Sequence, residues 1–242
     1  MIQGIIDNIL YQYSYLQLYG LVFLYFVILY FGLAPLFQKV CSYLYRRGLL
    51  EKIVEEEVSR SQIKHEIWHS LKSVIIFGFS GIPLIFLIRM DVIGLLPNSI
   101  MNTIIGLIIL VIWNEIHFFM VHRLMHVPFF MKHVHIVHHR SRIPTVYAVY
   151  SFHWFEALLL STVPITIAPI IPLSATAIFL FPLVSILLNY SGHCNYRFGK
   201  GKAPGFLAFG TNHNHHHSKA KRNYGFASGL LDRITHKIFN KS

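Results

Sequence analysis

Charge is scarce in this chain, and acidic charge scarcest. Of 242 residues, 13% are Asp, Glu, Lys or Arg, against about 25% in a soluble globular domain, and only ten are acidic. A fully solvated surface is excluded on that ground. Cysteine is nearly missing too: Cys41 and Cys194 stand far apart, which rules out a disulfide framework and a CxxC zinc knot. There is no glycine-rich dinucleotide fingerprint, no flavin motif and no fused cytochrome b5 segment. Any electrons the protein uses must then come from another protein. The net charge of +11 invites a nucleic-acid reading. We discount it, because uncharged apolar runs separate the basic residues and those runs need lipid or burial. No nucleic-acid partner is expected.

What fills the space is hydrophobic sequence, 54% of the chain, and histidine, 16 residues. About 20 apolar residues span a bilayer as a helix. Residues 19–38 carry no charge and form the first expected span, with tyrosines at its ends as in an interfacial belt. The N-terminus lacks the basic region of a cleavable signal. Residues 49–70 mix Glu51, Lys52, Glu55, Arg60 and Lys64 with Leu50, Ile53, Val58 and Ile63, which predicts an amphipathic connecting helix. Residues 73–89 and about 100–118 predict an antiparallel pair of spans, the second running on into a histidine-rich stretch. Residues 157–188 are uncharged, with Pro164, Pro169, Pro172 and Pro182. They predict a membrane hairpin broken near Pro169–Ser174, spanning or re-entrant. The expected fold is all-α and integral to a membrane, with about four to five embedded helices and a cytoplasmic helical cap that holds a dinuclear metal site. The division is 1–112, an N-terminal membrane region, and 113–242, a catalytic region that includes the hairpin.

The histidines are not scattered. His122 and His126 stand four apart; His135, His138 and His139 follow; His213, His216 and His217 repeat the second spacing. Residues i, i+3 and i+4 share one helix face, so each cluster aims two or three imidazoles at one point, and imidazole is the commonest metal-binding side chain. His193 and His153 stand outside the clusters as further candidates, with Glu156 beside the latter. A structural zinc ion takes four ligands; eight or nine argue for two metals. Imidazole suits iron, zinc, copper and nickel. With Glu115 and Glu156 the only nearby carboxylates, oxygen activation by iron is favoured over hydrolysis. A metal transporter or metal-binding membrane protein is the other alternative, disfavoured because the clusters lie beyond the apolar runs. Crossing number gives a separate test. If Arg46 and Arg47 mark the cytoplasmic side, an even number of later crossings returns every cluster to that side, together with Arg123, Lys132, Arg140, Arg142, Lys200, Lys202, Lys219, Lys221 and Arg222.

These motifs, in their order and spacing, resemble the fatty acid hydroxylase/sterol desaturase superfamily. The carrying residues are His122-Arg-Leu-Met-His126, His135-Ile-Val-His138-His139, Phe152-His153-Trp-Phe-Glu156, Ser191-Gly-His193, His213-Asn-His-His216-His217, Asn223-Tyr-Gly225 and Leu231-Asp232-Arg233. The resemblance implies a membrane-bound, O2-dependent oxidoreductase that hydroxylates or desaturates a lipid taken from the bilayer. It implies two iron ions, which zinc can replace in purified protein, held by His122, His126, His135, His138, His139, His193, His213, His216 and His217. It further implies a separate electron donor, cytochrome b5-, ferredoxin- or reductase-like, with His153 and Glu156 as added ligands or supports and Asn223 and Asp232 tying the tail to the cap. Three departures stand out. Trp154 replaces the proline after His153, Tyr196 and Arg197 occupy the turn beyond His193, and Asp232-Arg-Ile-Thr-His-Lys replaces the usual ending.

Overall fold

The computed structural model describes residues 2–198, 209–219 and 222–239; Lys200, Lys202 and Lys221 lie outside them. A short helix α1 (Ile2–Gln12) precedes α2 (Tyr15–Arg46), which starts where the Ser14 hydroxyl accepts from Gln17 N and the Gln17 side chain accepts from Ser14 N, a reciprocal cap. A one-turn π-bulge, Ile28–Gly32, interrupts α2. Strand β1 (Leu50–Lys52) follows, then α3 (Arg60–Arg89), β2 (Leu95–Leu96) and α4 (Ile100–Met125). Residues 128–139 coil as a helix with a π-turn, α5. Two short helices, α6 (Trp154–Leu160) and α7 (Val163–Ile167), lead to β3 (Leu173–Ser174), α8 (Ala175–His193), β4 (Tyr196–Phe198), α9 (Phe209–Lys219) and α10 (Leu230–Phe239).

Among the described residues, four helices are long and apolar enough to cross a membrane: α2, α3, α4 and α8. Their outward faces are apolar: Leu24, Phe79, Ile104, Ile108, Ile112 and Phe179 are all exposed. In water that would be costly, at roughly 25 cal/mol per Å²; in a bilayer it is the required surface. The protein is an integral membrane protein.

Two small sheets mark the two ends of the bundle. At one end β1 pairs antiparallel with β4, Glu51 opposite Arg197, which joins the end of α2 to the end of α8. At the other, β2 pairs in parallel with β3, which joins the α3–α4 turn to the bottom of the hairpin. There Arg89 donates to Leu10 O and Tyr13 O, both at 2.6 Å, fastening α1. The descending arm α6–α7 runs beside α4, since Thr162 meets His117 at 2.9 Å and Thr166 meets Trp113 at 2.9 Å. The returning helix packs so tightly on α4 that a Cβ on Gly106 would sit 2.6 Å from that of Ala177. Glycine permits that approach.

The predicted connecting helix over 49–70 is not a separate element. Residues 50–52 are a strand, 53–59 are irregular, and Ser59 caps a single helix that runs without a break from Arg60 to Arg89. The polar half of α3 serves protein contacts rather than a membrane surface. Glu66, fully buried, accepts from Gln62 and Thr145; Gln62 donates to Ile143 O and Ser70 to Tyr147 O. Gln62, Glu66 and Ser70 bond the 141–147 loop, whereas Arg60, Lys64 and Lys72 stay exposed. The hairpin turns over 168–174, near Pro169 and Pro172, and its first arm is two short helices, Pro164 sitting in the first turn of the second. The second arm extends to His193.

Candidate metal centre

Nine imidazoles meet at the β1–β4 end. α4 runs on past its apolar stretch and brings His122 and His126 there; α5 brings His135, His138 and His139; the last residue of α8 is His193; α9 brings His213, His216 and His217. They sort into two adjacent groups. His122, His126, His135, His139 and His216 each offer one nitrogen within 4.8 Å of the others, and so do His138, His193, His213 and His217. The groups adjoin through His139, whose ring lies 4.9 Å from that of His216 and 5.1 Å from that of His217. Helical spacing explains the sorting: within HxxHH, His135 and His139 are four apart and share a group, while His138 is turned toward the other.

Several rings are pinned at the back. His122 Nδ1 donates to Tyr224 O at 2.9 Å, His193 Nδ1 to Asn189 O at 2.9 Å, and His216 Nδ1 to Arg222 O at 2.6 Å. Each such bond fixes the proton on Nδ1 and turns the Nε2 lone pair inward, the arrangement that holds metal-ligating imidazoles. His135 Nδ1 lies 2.8 Å from the carboxylate of Glu156, which is itself buried. That is a carboxylate behind a histidine, not a member of either nitrogen group.

The donor set fits a metal. The Nε2 atoms of His122, His135 and His139 are buried without a hydrogen-bond partner, a costly state unless a cation satisfies them. His216 Nε2 and His126 Nε2 face one another at 3.0 Å. With the His216 proton on Nδ1, such a contact calls for a shared proton or cation; nitrogens about 2.1 Å from one ion and at right angles stand about 3 Å apart. Burial, and then the His216 imidazole, hold His126 and His139 down to about 3, and burial lowers His135, His138, His213, His216 and His217. These rings are neutral at pH 7 and available as ligands. Burial also pushes the Glu156 carboxyl well up.

The remaining candidates fall elsewhere. His153 is not brought to the nitrogens; it caps α6, its Nδ1 accepting from Phe155 N at 3.3 Å. Asp232 accepts from Tyr224 N at 3.0 Å and Gly225 N at 2.9 Å, and Asn223, at a positive φ of 64°, donates to Asn212 O. Asp232 therefore holds the turn whose Tyr224 carbonyl holds His122. Glu115 anchors the same turn by accepting from Phe226 N, Ala227 N and Ser228 N at 2.7–3.2 Å. Its signal was available: no other Asp, Glu, Lys or Arg lies between Asp91 and Arg123. Gly225 sits so close that a Cβ there would meet Ser228 O at 2.0 Å. His117 bonds Thr162, while His133 and His215 point outward.

An apolar cavity of about 760 Å³ ends at this centre. It runs from Ile9 and Leu95 at the far end, past Phe77 and Phe181, to Phe118, Phe152 and Asn189. Phe152 lies 4.8 Å from the His138 ring and Phe118 4.9 Å from the His122 ring, ring centre to ring centre. None of the nine rings lines the cavity; Phe118 and Phe152 stand between it and the imidazoles.

Residues 107–237, more than half of the chain, match the family model described as fatty acid hydroxylase. Lathosterol oxidase of Rattus norvegicus is 28% identical over 184 residues, which cover 72% of this chain and 60% of that protein. Lathosterol oxidase of Homo sapiens is 27% identical over 198 residues, covering 76% and 63%. The human fatty acid hydroxylase domain-containing protein 2 is 28% identical over 133 residues, covering 54% and 38%. The chain thus spans less than two thirds of the length of these relatives. No solved structure matches. With the motif order, the helical membrane architecture and the paired imidazole groups, the match over 107–237 identifies the chain as a member of the fatty acid hydroxylase/sterol desaturase superfamily.

Proposed function

We propose that this protein is an O2-dependent lipid oxidoreductase, a hydroxylase or desaturase, with two iron ions held by the nine histidines. The observation that carries the proposal is the junction of two adjacent imidazole groups with the end of an apolar cavity. His122, His126, His135, His139 and His216 hold one ion, and His138, His193, His213 and His217 the other. When bound, iron supplies the redox chemistry that C–H oxidation by O2 requires. Zinc competes for the same nitrogens in purified protein.

The chain's own part is positioning and exclusion. Tyr224 O, Asn189 O, Arg222 O and Glu156 fix the rings. Phe118 and Phe152 close the cavity roof and keep bulk water from the reacting carbon. The cavity walls, mostly Leu, Ile, Val and Phe, select a lipid chain or ring system and leave its reacting carbon beneath the imidazoles. At the metal end stand Arg46, Arg47, Lys52, Arg60, Lys64, Arg123, Lys132, Arg140, Arg142 and Arg222 beside Glu51, Glu55, Glu56 and Glu57, whereas Arg89 is the basic residue at the opposite end among the described residues. That asymmetry supports a cytoplasmic metal end. A separate one-electron carrier, cytochrome b5-, ferredoxin- or reductase-like, supplies electrons there. His126, only half-buried, is the ring through which they enter most directly.

The test is expression with iron under anaerobic conditions, iron determination per chain, and mass spectrometry of lipids after exposure to 18O2 with a reducing system. Two irons and an 18O-labelled lipid establish hydroxylation. A new double bond without label establishes desaturation. Neither product from iron-loaded protein across fatty acid and sterol lipids contradicts the proposal.

A further inference from the structure

Helix α10 holds none of the nine imidazoles, and the reaction proposed above makes no use of its outer face. Leu230, Leu231 and Ile234 fall on one side of it, and Asp232, Arg233, His236 and Lys237 on the rest. Leu230 is 53% exposed and Ile234 43%. Two open aliphatic side chains one turn apart, on a helix fastened from its polar side by Asp232, call for an apolar covering.

Depth and charge say which covering. The turn before α10 is tied at 226–228 to Glu115, seven residues before His122 on α4 and so about 10 Å nearer the membrane. Phe226 packs on Phe118 there, ring centres 4.9 Å apart. α10 therefore begins at the depth of the exposed apolar stripe of α4, which runs from Ile104, Ile108 and Ile112 on to Met120 and Leu124. Arg233 and Lys237, also exposed, border its apolar side. An amphipathic helix of this kind lies in the interface plane, and basic residues there attract anionic headgroups. We infer that α10 is an interfacial helix on the metal side of the membrane, with Leu230 and Ile234 seated among acyl chains and Arg233 and Lys237 on anionic phospholipid headgroups. The same helix carries Asp232, which holds the 224–225 turn and through it His122. The seat on the bilayer and the setting of one ligand are thereby joined.

The test uses the full chain in nanodiscs of phosphatidylcholine with and without phosphatidylglycerol. Nitroxide labels go on Ile234→Cys and, separately, His236→Cys; both native thiols are buried. Power saturation with O2 and with a water-soluble nickel chelate locates each label. The expected result is a label at 234 relaxed by O2 and not by nickel, and the reverse at 236. Phosphatidylglycerol raises the O2-to-nickel ratio at 234, and Arg233→Glu with Lys237→Glu removes that rise. A label at 234 reached by nickel overturns the inference, because the face is then in water. A label shielded from both reagents also overturns it, because protein, from this chain or a second copy, then covers the face. A ratio at 234 unmoved by phosphatidylglycerol overturns the headgroup half. None of these readouts depends on iron or turnover, so failure here leaves the proposed reaction standing, and failure of that reaction leaves α10 testable.

Discussion

The two imidazole groups share α5 and α9 and differ in what completes them. The four-membered group, His138, His193, His213 and His217, is wholly buried, and its anchor, Asn189 O, belongs to a membrane helix four residues before His193. The five-membered group has one half-buried ring, His126, and depends on the tail: Tyr224 O, Arg222 O and, behind them, Asp232 and Glu115. The first, the bundle group, is completed by His193 of a membrane helix; the second, the tail group, has two of its rings held by residues 222–224 folded back toward α4. The tail group is therefore the one to disturb without touching a ligand.

The largest effects come from removing ligands. His138→Ala leaves three imidazoles in the bundle group, and we expect iron to fall from two per chain toward one and product to fall to background. His122→Ala does the same to the tail group. Iron analysis and lipid mass spectrometry check both, and an active His138→Ala protein removes that residue from the centre. Next in size is Gly225→Ala. Its Cβ clashes with Ser228 O, so the turn cannot close, and iron loss is expected from the tail group alone, read as one remaining iron per chain. Loss of both would show that the groups form as a unit.

Smaller changes are expected from supporting carboxylates. Glu156→Gln and Asp232→Asn keep their size and replace a carboxyl by an amide behind His135 and the 224–225 turn. Such supports are typically worth 10–100-fold in metal affinity; we expect that loss in the tail group, measured by chelator competition, with the bundle group unchanged. The smallest effect is on pH. In the metal-free protein His126 and His139 titrate near 3, against about 6.5 in an unfolded chain. The folded state thus binds fewer protons, and stability present above about pH 6.5 is lost as pH falls toward 3. Tm of metal-free protein should drop between pH 7 and pH 5, and bound iron should suppress the drop. A flat Tm would place these rings in water.

The sequence disclosed the site better than its supports, for a physical reason. Ligand imidazoles recur at i, i+3 and i+4, so HxxxH and HxxHH are visible in one dimension. Tyr224 O, Asn189 O and Arg222 O are backbone groups, and any residue presents a carbonyl. Glu115 was visible as a lone charge in an apolar run, but only the fold shows that it binds amides 111–113 residues away. The helix predicted over 49–70 failed because alternation of polar and apolar residues does not say whether the polar side meets water, lipid or protein. Here Gln62, Glu66 and Ser70 meet the 141–147 loop while Arg60 and Lys64 stay exposed, and β1 forms because β4 is across from it. His153 stood as an added ligand or support through the Phe152-His153-Trp-Phe-Glu156 motif, and its ring caps α6.

The central claim is that nine histidines make two metal positions. Iron determination on protein expressed anaerobically, set beside the same determination on His122→Ala and His138→Ala, tests it most directly. Two irons per chain in the parent and about one in each variant is the predicted result. One iron in the parent, or two retained in either variant, contradicts it.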